Sequence, residues 1–298
     1  MFKNILIIGF GLIGSSIARG ALKAKITNQI LVYDKDKTVK NRLKKAKFKK
    51  VQYFSSVSEA IKNANFIVIC TPVLQYEGIF KYLKNNNNIT TIVTDVGSTK
   101  SNIVKLYNDS YKNDFKFVPS HPIAGTEKSG LEHGFAELFH DRYNIICPVG
   151  NKKNKSITIV KDFWRKLGMQ VDIMSAKKHD KILGLTSHLP HLIAYSLVLT
   201  AMKKEKTMKS SIVKYSAGGF RDFTRITENN PNFWRDVFLV NQNIIHDFSK
   251  SFISEMKKLN LEMKQKKSSL LLSKLEKTRK VRKSIIKAKM AGKFIPND

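Results

Sequence analysis

His121 stands in the run Ser120-His121-Pro122-Ile123-Ala124-Gly125-Thr126-Glu127, directly after the strand-like segment Phe115 to Val118. An imidazole with an ordinary pKa near ~6.5 suits proton transfer at neutral pH. A packed core histidine is the bland alternative, but a proline and a glycine-bearing loop are a poor setting for one. His188-Leu189-Pro190-His191 places two imidazoles three residues apart in a helical segment, so both lie on one face. Pro190 removes the bond to the carbonyl of Thr186 and should kink that helix. A metal pair would need further ligands, and no cysteine or carboxylate set completes a tetrahedral site, so no metal is expected. Gly218-Gly219-Phe220-Arg221-Asp222-Phe223-Thr224-Arg225 carries two guanidinium forks beside a glycine turn, a composition that suits carboxylates. Plain surface arginine is the alternative. Trp234, close after Pro231, is either core or pocket wall.

A second group of residues suits phosphate. Gly9-Phe10-Gly11-Leu12-Ile13-Gly14 follows an apolar strand and opens a helix, the context of a dinucleotide-binding turn. Gly9 allows the tight turn, Gly11 lets backbone approach a pyrophosphate, and Gly14 lets helix and strand pack closely. The N–H groups of Leu12, Ile13 and their neighbours at the helix start are free for an anion. Asp34 lies 20 residues beyond Gly14 at the end of the next strand, placed to accept from ribose hydroxyls. Thr71 and Pro72, after the strand Phe66 to Cys70, are assigned to the same cofactor surface. Ser98, in Asp95-Val96-Gly97-Ser98-Thr99-Lys100, also follows a buried strand. It either caps the next helix or hydrogen-bonds a substrate.

The elements that must position these groups change character once. Up to Met174, apolar runs at Ile5 to Ile8, Ile30 to Tyr33, Phe66 to Cys70, Ile89 to Thr94, Phe115 to Val118, Tyr143 to Cys147 and Met169 to Met174 read as strands. Helical segments are expected around 12–24, 36–46, 56–63, 73–83 and 154–167. This alternation predicts an α/β Rossmann-type doubly wound sheet over 1–174. From 175 to 298 the stretches 176–202, 204–216, 231–258 and 267–289 carry helical periodicity, which predicts an all-α second domain.

Composition narrows the function classes. The hydrophobic fraction of 42% excludes a wholly disordered chain. No uninterrupted apolar run reaches the ~18 residues of a membrane span, and the start reads directly into a strand with no signal peptide. Two cysteines, Cys70 and Cys147, read as buried thiols in a reducing cytoplasm. The 54 Lys and Arg against 23 Asp and Glu give a net charge of +31 and a pI near 10.0. A nucleic-acid binder would carry such charge in a patch. Here it is spread along the chain, so no nucleic acid and no membrane partner is expected. The stretch Ser251 to Asp298 is the most basic, with 14 Lys and Arg against four Asp and Glu. A solvated terminal helix accounts for it, with an anion-binding tail from about 265 as the alternative.

Taken together, in order and spacing, these segments resemble the prephenate/arogenate dehydrogenase family, and the resemblance covers nearly the whole chain. It implies an NAD(P)-dependent oxidative decarboxylation in tyrosine synthesis, a Rossmann half, and a homodimer formed through the helical half. It implies that His121 accepts the proton of the ring hydroxyl and that Ser98 hydrogen-bonds this centre. It further implies that Arg225 binds a substrate carboxylate, that His191 faces the substrate with His188 beside it, and that Glu127, Asp222 and Trp234 line or gate the pocket. Asp34 argues for NAD over NADP, against the nearby Lys35 and Lys37, and prephenate is favoured over arogenate. A β-hydroxyacid dehydrogenase is the competing enzyme class, but it would want a catalytic lysine in the helical domain.

Overall fold

The computed structural model describes residues 1–86, 91–150, 154–208, 211 and 213–287. Six strands form one parallel sheet: β1 (Phe2–Ile8), β2 (Thr27–Tyr33), β3 (Val51–Phe54), β4 (Phe66–Ile69), β5 (Ile92–Asp95) and β6 (Lys116–Val118). Their order is β3-β2-β1-β4-β5-β6, so the chain winds outward from β1, returns, and winds the other way from β4. The switch point lies between β1 and β4, where ligands of such sheets gather at the carboxyl ends of strands. Helices α1 (Leu12–Lys23), α2 (Val39–Lys45), α3 (Val57–Lys62), α4 (Tyr76–Asn85) and α5 (Ser101–Ser110) make the connections.

Both sheet faces are covered, which is why the strands read as unbroken apolar runs rather than alternating ones. Ile5 and Ile7 of β1 point into one core with Phe163 and Trp164; Leu6 and Ile8 point into the other with Phe80 and Tyr107. Helix α6 (Lys155–Lys166) supplies the first pair of aromatics. At the end of β5 the fully buried Asp95 carboxylate accepts from Lys100 Nζ at 2.5 Å, Tyr76 Oη at 3.0 Å, and the backbone N–H of Gly97 and Ser120 at 2.9 Å each. Lys100 is equally buried, and the pair is held by saturating hydrogen bonds.

A second sheet of three strands follows, ordered β7 (Ser120–Pro122), β8 (Tyr143–Ile146), β9 (Gln170–Ile173). β7 runs antiparallel to β8, with His121 opposite Ile145, and β9 runs parallel to β8. Sequence periodicity did not disclose β3 or β7. β3 is a four-residue edge strand, and β7 has three residues ending in a proline tolerated there because the strand is also an edge. Residues 89 and 90 of the strand expected from Ile89 lie outside the described residues. So do parts of the helices expected at 204–216 and 267–289.

Beyond residue 174 every described element is helical: α7 (Ala176–Leu183), α8 (Leu189–Met208), α9 (Gly218–Thr224), α10 (Pro231–Val240), α11 (Gln242–Lys264) and α12 (Ser268–Lys287). The kink expected at Pro190 takes the form of a π turn, Gly184–His188, between α7 and α8. Widening the helix by one residue per turn accommodates the missing N–H. The continuous stretch Ala176–Met208 is, among the described residues, long and apolar enough to cross a membrane by length and composition alone. Leu197, Leu199 and Met202 of α8 are exposed. Cys147 is buried, as expected, but Cys70 is only partly so.

The chain forms two compact units, Met1–Gln242 and Asn243–Asp298. The first holds both sheets and α1 to α10. Within the second, α11 and α12 are joined by a turn at Lys266 with φ of 52° and bridged by a Lys274–Glu262 ion pair. Its exposed side chains include Ile253, Met256, Leu261, Leu272, Leu275 and Ile286.

Candidate active site

The turn between β1 and α1 needs glycine at two positions for reasons of space. Gly9 has φ of 93°, and a Cβ there would lie 2.8 Å from the carbonyl oxygen of Cys70. A Cβ on Gly14 would lie 2.3 Å from the carbonyl oxygen of Gly9. Gly11 differs: a Cβ there would meet nothing within 4 Å, so this glycine keeps the approach to the backbone open. No side chain caps α1, which leaves the N–H groups of Leu12, Ile13 and Gly14 at the helix start for an incoming anion. Asp34 accepts from Phe10 N at 2.7 Å and Asp36 N at 2.9 Å. Its carboxylate thus clamps the glycine turn and keeps lone pairs for further donors. Thr71 lies against Gly9, and its buried Oγ1 has no partner among the described residues. Pro72 begins the 3-10 turn Val73–Gln75. An open glycine turn, an uncapped helix and an orphaned hydroxyl fit a dinucleotide.

One cation near Asp34 escaped sequence reasoning. Arg42 of α2 donates to both carboxylate oxygens of Glu132, at 2.7 and 2.6 Å, and stands 3.8 Å from Asp36. This bidentate fork holds the Glu132 carboxyl down to about 2. Lys35 and Lys37 are exposed.

His121 lies in β7 and is buried. Its Nδ1 is 2.8 Å from Nε2 of His179, whose Nδ1 is 2.8 Å from Oδ1 of Asp180. Asp180 in turn accepts from Lys100 N at 2.8 Å and Ser101 N at 2.7 Å. It therefore caps α5, the role open to Ser98, which is itself partly exposed. Burial, then the neighbouring His179, Lys100 and His188, push the His121 imidazole well below its ordinary pKa. Burial also lowers His179, against the hydrogen bond to Asp180. Burial raises the Asp180 carboxyl, but hydrogen bonds from His179 and Ser101 outweigh this and hold it below the usual range.

The two histidines on one helix face reach the same tryptophan in different ways. His191 stacks on Trp234, with centroids 3.4 Å apart and planes at 20°; His188 meets it edge-on at 6.2 Å. His191 Nδ1 donates to the carbonyl oxygen of Ser187 at 2.8 Å. Asn241 Nδ2 lies 3.2 Å from the carbonyl oxygen of Asp180 and 3.0 Å from His188 Nδ1. The carbonyl can only accept, so the amide nitrogen faces both and His188 Nδ1 accepts. Trp234 Nε1 is a buried donor with no partner among the described residues, whereas His188 also meets the backbone of Ser98. Burial lowers both His188 and His191 to about 4. Arg225, at the end of α9, donates to Glu127 at 3.0 Å. Asp222 is exposed on α9.

The structure thus places His121, His188, His191, Trp234, Glu127 and Arg225 within one compact unit. His179, Asp180 and Asn241 belong to the same cluster, yet no motif marks them. The adjacent His-Asp pair was visible, but nothing in the sequence related it to a strand 58 residues earlier.

Comparison with known proteins followed both halves of the chain. Residues 17–173 match the family model of the prephenate dehydrogenase nucleotide-binding domain, and residues 175–277 that of the prephenate dehydrogenase dimerization domain. The cyclohexadienyl dehydrogenase of Zymomonas mobilis is 36% identical over 95% of this chain and 96% of its own length. The prephenate dehydrogenase of Lactococcus lactis is 32% identical over 95% of this chain and 77% of its own. A crystal structure of the Aquifex aeolicus prephenate dehydrogenase with hydroxyphenyl propionate and NAD+ is 30% identical. It superposes with a TM-score of 0.87 over 96% of this chain and 99% of that one.

The buried histidines make stability depend on pH. His188 and His191 bind protons near pH 4 when folded and near ~6.5 when unfolded. Stability is complete above ~6.5 and is lost as pH falls toward 4, because only the unfolded chain takes up protons in that window. Urea unfolding at pH 5 should show a loss of roughly 1–2 kcal/mol per histidine relative to pH 7.5. Replacing both with Gln should remove their share of the slope and leave that of His121 and His179.

Proposed function

The chain belongs to the prephenate dehydrogenase family of oxidoreductases, and on that premise we propose that it oxidatively decarboxylates prephenate to 4-hydroxyphenylpyruvate with NAD. The observation that carries this reading is one loop, 121–127, which begins at a buried imidazole base and ends at Glu127, ion-paired to Arg225. A substrate spanning that distance meets a proton acceptor at one end and a carboxylate anchor at the other.

When bound, NAD supplies the acceptor for the hydrogen at C4. His121 takes the proton of the C4 hydroxyl, and the O–H electron pair becomes the new carbonyl bond. The C1 carboxylate then leaves as carbon dioxide, the electron pair of that bond makes the ring aromatic, and the C4 oxygen takes the carbonyl π pair and regains the proton from His121. Loss of carbon dioxide with aromatisation is downhill, so the chain mainly has to orient the ring and move one proton. Arg225 holds a substrate carboxylate while its Nη1 stays with Glu127. The unpartnered donor of Trp234 suits an oxygen-rich substrate, and Ser98 hydrogen-bonds the reacting centre. His191, stacked on Trp234, is kept neutral and forms a wall of the pocket. Asp222 gates it from the exposed side.

Glu127 also bears on substrate choice. Selection of arogenate would want a carboxylate free for its ammonium group. Glu127 is engaged by Arg225 and Asp222 lies out in solvent, which supports prephenate. Asp34 supports NAD over NADP, since a 2′-phosphate would meet its carboxylate. The neighbouring guanidinium of Arg42 is occupied by Glu132. The domain boundary belongs near 174, where the two family models meet. The homodimer forms through the helical half, whose exposed apolar residues on α8 and α11 need a partner surface.

His121→Asn should lower kcat by roughly 10²–10⁴-fold with little change in NAD binding. Near wild-type turnover at saturating substrate would remove His121 from this role. Arg225→Ala should raise the KM for prephenate at least ~30-fold, about 2 kcal/mol or more of binding; an unchanged KM would discard the anchor. Wild-type kcat/KM should favour NAD, and Asp34→Ser should narrow or reverse the preference, mostly through cofactor KM. Equal use of NADP by the wild type contradicts the reading of Asp34. Sedimentation should give about twice the 34.0 kDa of one chain, and a concentration-independent monomer at micromolar levels would exclude the dimer.

A further inference from the structure

The contacts behind His121 can be read as a sequence of forced hydrogen-bond assignments. Asp180 receives two backbone N–H groups at the start of α5, 2.8 and 2.7 Å away, where helix polarity also favours a negative charge. It is ionised, and an ionised carboxylate only accepts. His179 Nδ1, 2.8 Å from it, must then carry a proton. The His179 ring is fully buried, so it is neutral, and its Nε2 offers a lone pair. His121 Nδ1, 2.8 Å from that lone pair, must donate in turn. A neutral His121 that donates from Nδ1 has its lone pair on Nε2.

We propose that His179 and Asp180 are positioning residues that lock His121 in the Nδ1–H tautomer. They present its Nε2 as a proton acceptor and spread the charge that His121 gains on taking up a proton. The inference rests on the reading of His121 as the base and adds two residues to it. In the step itself, the substrate O–H bond breaks and an Nε2–H bond forms. The positive charge created on His121 then lies one hydrogen bond from His179 and two from the Asp180 carboxylate. Neither residue touches the substrate.

The opposite arrangement would disable the base. A doubly protonated His179 would donate to His121 Nδ1 and leave a proton on His121 Nε2, where an acceptor is required. The groups facing this pair decide against it. His179, His188 and Lys100 face His121; Asp180, Lys100 and Asp95 face His179. The buried Lys100 ammonium and full desolvation oppose a second cation, while the single carboxylate of Asp180 suffices to hold one Nδ1–H. Asn241 completes the frame by donating to the Asp180 carbonyl and to His188 Nδ1.

Nitrogen-15 histidine spectra of the full-length protein read the tautomers directly and need no substrate. Near pH 7.5, His121 and His179 should both report Nδ1–H and bare Nε2. An Nε2–H tautomer at His121 overturns the proposal. In kinetics, His179→Leu should lower kcat by roughly 10–100-fold, the usual effect of removing an orienting partner, with KM and NAD affinity changed less than about threefold. His179→Gln, whose carbonyl oxygen can accept from His121 Nδ1, should restore most of the turnover. Loss of the acceptor on Nδ1 makes the protonated His121 less favourable, so the acid limb of the His179→Leu kcat/KM profile should move to lower pH. Equal losses for Gln and Leu, or an unmoved acid limb, overturn the proposal. If His179→Leu does not fold, the spectra and the Gln variant still decide. An inactive His121→Asn beside a fully active His179→Leu would reject the relay alone. A wild type inactive on prephenate and arogenate would reject the function but not the tautomer measurement.

Discussion

The carboxylate of Asp180 joins the two parts of the site. It belongs to α7, in the helical portion, yet it caps α5 of the parallel-sheet portion and holds His179 against His121. A helix start left uncapped in a buried place would expose unpaired N–H groups. A buried carboxylate without donors would be still less favourable. Each requirement satisfies the other, and the contact holds α7 against the start of α5. It brings an imidazole from β7 into line with one from α7.

The same logic governs Asp95. Its charge is surrounded by Lys100, Tyr76 and two backbone donors, and it fixes the start of β7 through Ser120. Lys100 thus serves both carboxylates, giving its ammonium to Asp95 and its backbone N–H to Asp180. The low-dielectric surroundings that make such groups costly when unpaired keep His121, His188 and His191 neutral. A site built around bases needs that neutrality. The guanidinium of Arg225 is partly exposed and paired with Glu127.

The net charge of +31 has no single locus. Lysines are exposed on α2 and α12 alike, so the excess acts as a diffuse field rather than a binding stripe. Such a field attracts small anions toward the cleft from all directions. On the proposed function, specific recognition falls to a few oriented groups: the glycine turn, Asp34 and Arg225.

Much of this was legible in the residues themselves. Strands β1, β2 and β4 carry enough β-branched and leucine side chains to be recognised without partners, because burial on both faces demands apolar residues throughout. Gly9, Gly11 and Gly14 were legible because backbone geometry and space restrict those positions to one residue type. β3 and β7 were not, since a short edge strand is defined by what it pairs with. His121, Arg225 and Trp234 could be singled out by type and setting, but their pairings could not. The contacts His121 to His179, Asp180 to α5, Asn241 to His188 and Glu127 to Arg225 join residues far apart in the chain. Local sequence determines which groups are available and which segments are helix or strand. Only the packed structure decides which buried donor meets which acceptor, because that choice is made by desolvation, and desolvation exists only once the elements have come together.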